Sequence, residues 1–107
     1  MNAETLKGHL DLLLLAAVQS LPAHGYAIAE RLRTRSQGAF DLPEGTLYPA
    51  LHRLERAGLL SSRWSEVGGR RRRVYQLTAK GHRALTTRHG EWREFAHAVH
   101  AVVEDLA

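Results

Sequence analysis

The sequence predicts a mainly α fold with one β-hairpin and a long C-terminal helix, and three observations support that prediction. Leu and Ala, both strong helix formers, dominate residues 3–20, and apolar residues recur at helical spacing in two further segments. The pair Gly68-Gly69 separates two strand-like runs, a pattern typical of a hairpin. Beyond the hairpin, apolar residues recur at intervals of seven, which indicates a last helix with one apolar side.

Length and composition favour one small globular domain. The chain has 107 residues, of which 44% are hydrophobic and 24% charged. A domain of this size buries a limited core, so part of its stability often comes from a partner subunit. The absence of cysteine excludes disulfides, thiolate zinc sites and cysteine nucleophiles. The first residues include an acid and no basic leader, and the apolar run of residues 10–18 is too short to span a bilayer, so we expect a cytoplasmic protein without a membrane partner.

The first two helices are predicted over residues 3–20 and 25–35. Leucines cover most of the circumference of the first helix, so we expect it to be buried partly in its own domain and partly against a second subunit. The residues that we assign to this dimer surface are Leu10, Leu13 and Leu14. Residues 21–25 indicate a turn, and residues 39–42 form a short connector that could pair as a brief strand.

The third helix is predicted to start near Pro43, a residue suited to the first helical position, and to stop at Gly58. Leu47, Leu51 and Leu54 recur at helical spacing and form its buried face. The opposite face offers small residues, which allow close approach of a ligand, and polar residues, which can donate hydrogen bonds. On that face lie Gly45, Pro49, His52 and Arg56, flanked by Thr46, Tyr48 and Arg53.

The two strands of the hairpin are predicted over residues 59–67 and 71–77. Positive charge is concentrated here, with five arginines within eleven residues against the single acid Glu66. These arginines are Arg63, Arg70, Arg71, Arg72 and Arg73. The whole chain carries a formal net charge of +4, which suggests an acidic partner such as nucleic acid, an anionic membrane or an acidic protein.

The last helix carries a heptad-like apolar seam that predicts packing against a partner helix. Its members are Leu85, Trp92, Val99 and Leu106 at intervals of seven, with Phe95 and Val102 three positions after Trp92 and Val99. Thr78 caps this helix at its start, and His89 interrupts the seam where another apolar residue would be expected. We therefore divide the chain into residues 1–78, which include the hairpin, and residues 79–107, a C-terminal dimerisation helix.

The order helix, helix, turn, helix, hairpin, long helix is that of a winged helix-turn-helix domain, in which the hairpin is the wing. The major groove of DNA accepts one α-helix, and the preceding helix braces it across the backbone. Thr, Tyr, His and Arg on the third helix can donate to base edges or phosphates, while the wing would carry its arginines to the flanking backbone or minor groove. Residues 1–78 are therefore expected to bind double-stranded DNA.

Several segments also resemble the PadR family of bacterial transcription regulators. The resemblance runs from Leu6 to about Val103. It is carried by LKGHLDLLLL (6–15), GYAIAERL (25–32), PEGTLYPALHRL (43–54), GLL (58–60) and GRRRRVYQLTAKG (69–81). The EGTLYP segment, followed by the Y-x-L-T-x-x-G exit from the hairpin, is highly specific.

The resemblance implies a homodimer, built from the N-terminal and C-terminal helices, that represses nearby genes until an effector binds. It places Tyr26, Thr46, Tyr48, Pro49 and the wing arginines where the family contacts DNA. We expect no cofactor. The last helix is short, as in the smaller subgroup of the family. The resemblance suggests that in some relatives an aromatic residue of this helix, here Trp92, lines a dimer cavity that takes flat hydrophobic ligands. The alternative is that Trp92 only packs in the dimer seam.

Two other functions are compatible with parts of the sequence. A winged helix could instead dock a protein partner, in which case it would show little preference for DNA. A metal sensor is suggested by His97 and His100, three positions apart on one helix, although a metal site needs three or four converging ligands. The further ligands would be His89 and a carboxylate of Glu94 or Glu104. No nucleophile elbow, phosphate-binding glycine loop or paired carboxylates indicate an enzyme.

Overall fold

The computed structural model, which describes the backbone of residues 3–104 and the side chains of residues 9–104, contains four helices and a small three-stranded sheet. The elements are α1 (Ala3–Gln19), β1 (Ala23–His24), α2 (Gly25–Arg35), α3 (Glu44–Arg56), β2 (Leu60–Val67), β3 (Arg70–Leu77) and α4 (Ala79–Glu104). All strand pairs are antiparallel, in the order β1-β3-β2. The predicted mainly α fold with a β-hairpin wing and a long last helix is confirmed.

One local prediction is wrong, and the structure refines two others. Ala23 and His24, predicted within a turn, form β1 and pair with Tyr75 and Val74 at the base of the wing. Residues 39–42, which could have added a strand, form none and instead place Leu42 in the core. Pro43 is the N-cap of α3 rather than its first helical residue, because its ψ of 156° is extended.

The core is formed by α1, α2 and α3 together with the base of the sheet. Its largest fully buried side chains are Tyr75, Leu14, Leu15, Ile28, Leu47, Leu51, Leu54 and Leu60. The helix α1 lies at the centre, in contact with α2, α3, β3 and α4. Burial of these apolar side chains is the main source of stability in a domain of this kind.

Because α1 lies at the centre of the core, part of the predicted dimer surface is wrong. Leu10, Leu14 and Leu85 were assigned to that surface, but all three are buried in the core of the single chain. A side chain that its own chain already covers has no apolar area left for a partner. Leu13 is half-buried at the edge of the core and stays a candidate for the dimer surface.

A close-packed junction joins the end of α3 to the start of α4. The Thr78 hydroxyl donates to the carbonyl oxygen of Gly58 at 2.6 Å and accepts from the amide of Gly81 at 2.9 Å, as expected of a helix cap. Lys80 Nζ donates to the carbonyl oxygen of Ala57 at 3.0 Å. Gly81 is pressed so closely against the chain that a Cβ there would lie 2.0 Å from the carbonyl oxygen of Leu59.

The second half of α4 projects beyond the body of the molecule, whose principal extents are 54 × 28 × 21 Å. Of the described residues of this helix, only Gly81 and Leu85, in its first two turns, are buried. The remainder of the helix therefore leaves most of its predicted apolar seam uncovered by its own chain. Within residues 3–104, no helix combines the length and apolar character needed to cross a bilayer.

Candidate nucleic-acid interface

The helix α3 presents the polar face that the sequence predicted. Leu47, Ala50, Leu51 and Leu54 are buried beneath it. The residues exposed on the opposite side are Gly45, Thr46, Pro49, His52, Arg53 and Arg56. Pro49 lies in the second turn of this helix, where it removes the backbone hydrogen bond that residue 49 would otherwise donate to the carbonyl oxygen of Gly45. The exposed face is therefore available for contact with a groove of DNA.

The start of α2 lies directly beside α3. His24 is the N-cap of α2, and its Nδ1 accepts from the amide of Ala27 at 3.3 Å. Burial of the imidazole lowers the pKa of His24, and the positive charges of Arg72 and Arg31 lower it further, which favours the neutral acceptor form. Tyr26 stacks near this ring, at 6.3 Å between centroids, and its side chain is 64% exposed.

Gly25 allows α2 and α3 to approach each other closely. A Cβ at this position would lie 2.5 Å from the Cε1 atom of Tyr48, so a larger residue would displace the tyrosine ring. The contact fixes Tyr48 at the edge of the exposed face of α3. Tyr26 and Tyr48 consequently border the same depression.

The register of the wing separates its four consecutive arginines into two pairs. Successive side chains of a strand point to opposite faces, so Arg70 and Arg72 lie on one face and Arg71 and Arg73 on the other. On the second face, the guanidinium groups of Arg71 and Arg73 lie 5.1 and 5.4 Å from the ring centroid of Trp64. Trp64 is exposed and holds this pair by cation–π contacts.

Arg70 and Arg72 border a depression between the wing and the starts of α2 and α3, which we call the α3–wing depression. Tyr26, Tyr48 and Arg33 line the same depression, together with the acids Glu30, Asp41 and Glu44. Glu30 forms an ion pair with Arg33. The structure thus brings together Tyr26, Tyr48, Arg70 and Arg72, four of the predicted DNA-binding residues from three separate elements.

Arg73 has a second function, because it ties the wing to α3. Its Nε donates to the hydroxyl of Ser62 at 2.8 Å, and that hydroxyl donates to Glu55 Oε2 at 2.6 Å. A more distant ion pair joins Arg73 directly to Glu55 at 3.8 Å. The predicted DNA contact of Arg73 would therefore compete with a contact that positions the wing.

Arg53 is also engaged within the protein. Its two terminal nitrogens donate to both carboxylate oxygens of Asp11 in α1, at 2.7 and 3.0 Å. Arg88 of α4 donates to the same carboxylate at 3.2 Å. The hydrogen bond from Arg53, followed by the charges of both arginines, lowers the pKa of Asp11 against the opposing effect of its burial. One carboxylate thus connects three helices.

The predicted seam of α4 is largely exposed in the single chain. Trp92 is 41% exposed and Phe95 59% exposed, and Val99 and Val102 are exposed as well. Leu106 lies outside the described residues. Trp92 packs edge-on against His9 of α1, with ring centroids 5.2 Å apart. The two residues border a groove of about 360 Å³, whose other lining residues are Leu12, Arg88, Glu91 and Phe95.

Comparison with known proteins decides the family. Residues 14–87 match the model of the "Transcriptional regulator PadR-like family", which spans most of the chain and includes α3 and the whole wing. The chain belongs to the PadR-like family of transcriptional regulators. The match confirms the resemblance seen in the sequence and identifies the α3–wing region as the winged-helix part of a PadR-like regulator.

Individual relatives of this PadR-like chain support the same assignment. The transcriptional regulator Rv3488 of Mycobacterium tuberculosis (strain ATCC 25618 / H37Rv) is 43% identical over 76 residues, which cover 71% of this chain and 68% of the relative. A PadR family transcription regulator from hypervirulent Clostridium difficile R20291 shares the fold with a TM-score of 0.79 and 33% identity, over 90% of this chain and 99% of that chain. A PadR-like transcription factor from Bacteroides fragilis gives a TM-score of 0.76 and 32% identity, over 94% and 95% of the two chains.

The histidines of this PadR-like chain do not gather into a metal site among the described residues. Within residues 9–104, no three side chains of His, Asp or Glu come together in a way that could hold a metal ion. His100 Nε2 instead lies 3.0 Å from Glu104 Oε1, one turn along α4. The metal sensor therefore gains no support from the arrangement of these side chains.

The residues that position the PadR-like interface were not predicted from the sequence. Asp11 and Glu55 are acids on helices, and nothing in their local patterns indicates that they bind Arg53 and Arg73. His24 was missed as a cap because imidazole is not among the side chains usually found at that position. The one signal in the sequence was that Asp11 interrupts the apolar run of α1, where an acid needs a partner.

Proposed function

We propose that this regulator is a homodimer that binds a near-palindromic operator and acts as an effector-responsive repressor. The observation that carries the proposal is the convergence at the α3–wing depression. Arg70 and Arg72 of one wing face meet Tyr26 of α2 and Tyr48 of α3 there, and Tyr48 flanks the exposed face of α3. A helix of this kind fits the major groove while the wing reaches the adjacent backbone.

The contacts of the interface fall into two groups. We assign Tyr48, His52 and Arg56 of α3, with Thr46 at its start, to contacts with base edges or nearby phosphates. Gly45 and Pro49 would permit close approach. Arg70 and Arg72 of the wing supply charge to the flanking phosphates. Arg71 and Arg73 lie on the other wing face, so we assign them a smaller part in binding.

The exposed seam of α4 supports dimerisation. Apolar side chains at helical spacing that a single chain leaves uncovered are typical of a partner surface. Residues 79–107 would then serve as the dimerisation helix and residues 1–78 as the DNA-binding domain. A two-fold dimer would present its two α3 helices to successive major grooves, about 34 Å apart, so its operator would be a near-palindrome.

Regulation would act at the groove beside Trp92. His9, Leu12, Trp92 and Phe95 offer aromatic and apolar surface next to the dimer seam, which suits a small hydrophobic effector. An effector that binds one dimer geometry better than another would shift the population between DNA-competent and incompetent forms. Repression relieved by such a ligand is the simplest outcome of that shift.

The proposal is tested by titrating the purified chain into a fluorescein-labelled duplex from upstream of its own coding sequence. We expect saturable binding that falls steeply as salt is raised, because contacts to phosphate release counterions. A scrambled duplex of equal length is the control and should bind more weakly. Affinity that is equal for both duplexes and insensitive to salt would contradict the proposal and favour docking of a protein partner.

Val99→Asp is expected to convert the dimer into monomers, because the substitution places a charge in the proposed apolar seam of α4. Sedimentation velocity at micromolar concentration measures the change. His97→Asp is the matched control, since residue 97 lies about 160° away from residue 99 around the helix. A dimer that survives Val99→Asp, or that dissociates equally in His97→Asp, would show that the seam is misplaced.

A further inference from the structure

Arg53 and Arg88 share the carboxylate of Asp11, an arrangement that joins α3, α1 and α4. The Asp11 side chain is 20% exposed, whereas the Arg53 side chain is 51% exposed. The two arginines approach from helices 42 and 77 positions away in sequence. Since Asp11 carries one negative charge and its partners carry two positive charges, neither arginine is fully neutralised.

Arg53 lies at the border of the DNA-facing surface. It follows Pro49 by one helical turn on α3 and flanks the exposed line of Gly45, His52 and Arg56. A half-exposed guanidinium at that border is placed to reach a phosphate once its present partner releases it. Asp11 and a phosphate offer the same chemistry to Arg53, a pair of anionic oxygens that accepts two parallel hydrogen bonds.

We infer that Asp11 competes with the DNA backbone for Arg53, and that Arg88 adjusts the strength of this competition from α4. The inference rests on the proposed DNA-binding function and assigns a regulated contact within it. While Arg88 is bound to Asp11, the carboxylate attracts Arg53 less strongly and yields it more readily to a phosphate. When Arg88 leaves, Asp11 alone holds Arg53 and keeps it away from the phosphate.

The position of Arg88 connects this competition to the groove beside Trp92. Arg88 lines that groove and is one helical turn before Trp92. An anionic group in the groove would attract the Arg88 guanidinium and compete with Asp11 for it. A ligand in the groove would thereby change how readily Arg53 binds a phosphate. The effect would pass through two ion pairs, Arg88–Asp11 and Asp11–Arg53, without a change in fold.

The test is a double-mutant cycle on the full-length chain, read as the salt dependence of binding to the fluorescein-labelled duplex. Asp11→Asn keeps the shape of the side chain but removes its charge, and we expect about tenfold tighter binding near 0.1 M salt. The slope of log K against log salt, where K is the association constant for the duplex, should steepen by about 0.9 for each arginine released. In an Arg53→Gln background, Asp11→Asn should give neither the steeper slope nor the tighter binding.

Arg88→Gln is expected to act in the opposite direction, with weaker binding and a shallower slope. Arg83→Gln removes an equal charge from α4 at an exposed position and is the matched control. The inference would be overturned if Asp11→Asn still increased DNA affinity in the Arg53→Gln background. It would also be overturned if Arg88→Gln reduced DNA affinity no more than Arg83→Gln does. Salt-dependent binding that none of these variants alters would overturn it while leaving the proposed function intact, whereas no binding by the unmodified chain would overturn both.

Discussion

Replacing both Arg70 and Arg72 with Gln is expected to weaken operator binding by roughly 100-fold at physiological salt, because two phosphates per protomer are no longer neutralised. Both side chains lie on the wing face that borders the α3–wing depression. The slope of log K against log salt should become shallower by about 0.9 for each of these phosphates. Fluorescence anisotropy with a labelled duplex at four or five salt concentrations measures both quantities.

The adjacent residues of the wing supply a matched control for this prediction. Arg72→Gln and Arg71→Gln each remove one positive charge, from neighbouring positions on the same strand but from opposite faces. Arg71 contacts Trp64, and its replacement should affect the wing only through an exposed cation–π interaction of about 0.5–1 kcal/mol. Equal reductions of DNA affinity in the two variants would show that the wing meets DNA with both faces, contrary to our assignment.

Gly81→Ala is expected to lower the free energy of unfolding by about 3 kcal/mol or more. The new Cβ would overlap the carbonyl oxygen of Leu59, and a backbone atom has no alternative rotamer by which to move aside. For a domain of this size the corresponding fall in Tm is roughly 12 °C or more. Thermal and urea unfolding, followed by circular dichroism at 222 nm, give both values.

Gly90→Ala on the same helix is the control, and it should raise the free energy of unfolding rather than lower it. No described atom beyond its own helix turn lies within 4 Å of the position of a Cβ at Gly90. Alanine in an open helical position stabilises by about 0.5–1 kcal/mol relative to glycine. If Gly81→Ala were as stable as Gly90→Ala, the close approach of α4 to the end of α3 would be disproved.

The parts of the interface that depend on local pattern could be predicted from the sequence. Leu47, Leu51 and Leu54 recur with the period of a helix, so their burial also determines which residues are exposed on the other side. The two glycines of the wing indicated the hairpin, and its strand register then follows from that turn. Each of these features is encoded within a few neighbouring residues.

Features that depend on distant contacts could not be predicted in this way. The strand β1 has two residues and exists only because β3 passes beside it, about 50 positions later in the chain. Asp11, Arg53 and Arg88 meet through the packing of three helices. A period of 3.6 residues shows which side of α1 is apolar, but it does not show whether its own chain or a second copy covers that side. For this reason Leu10 and Leu14 were misassigned.

The tight junction at Gly81 couples the orientation of α4 to that of α3, the proposed DNA-binding helix. Thr78 and Lys80 bind the backbone just after α3, and Gly81 packs directly against the chain there. These contacts restrict movement of α4 relative to α3. At 1.5 Å per residue, the 26 residues of α4 span about 39 Å. A tilt of about 5° at one end of a helix of this length moves the other end by about 3 Å. In the proposed dimer, a modest change in the crossing angle of the two α4 helices would therefore alter the distance between the two α3 helices by several ångströms.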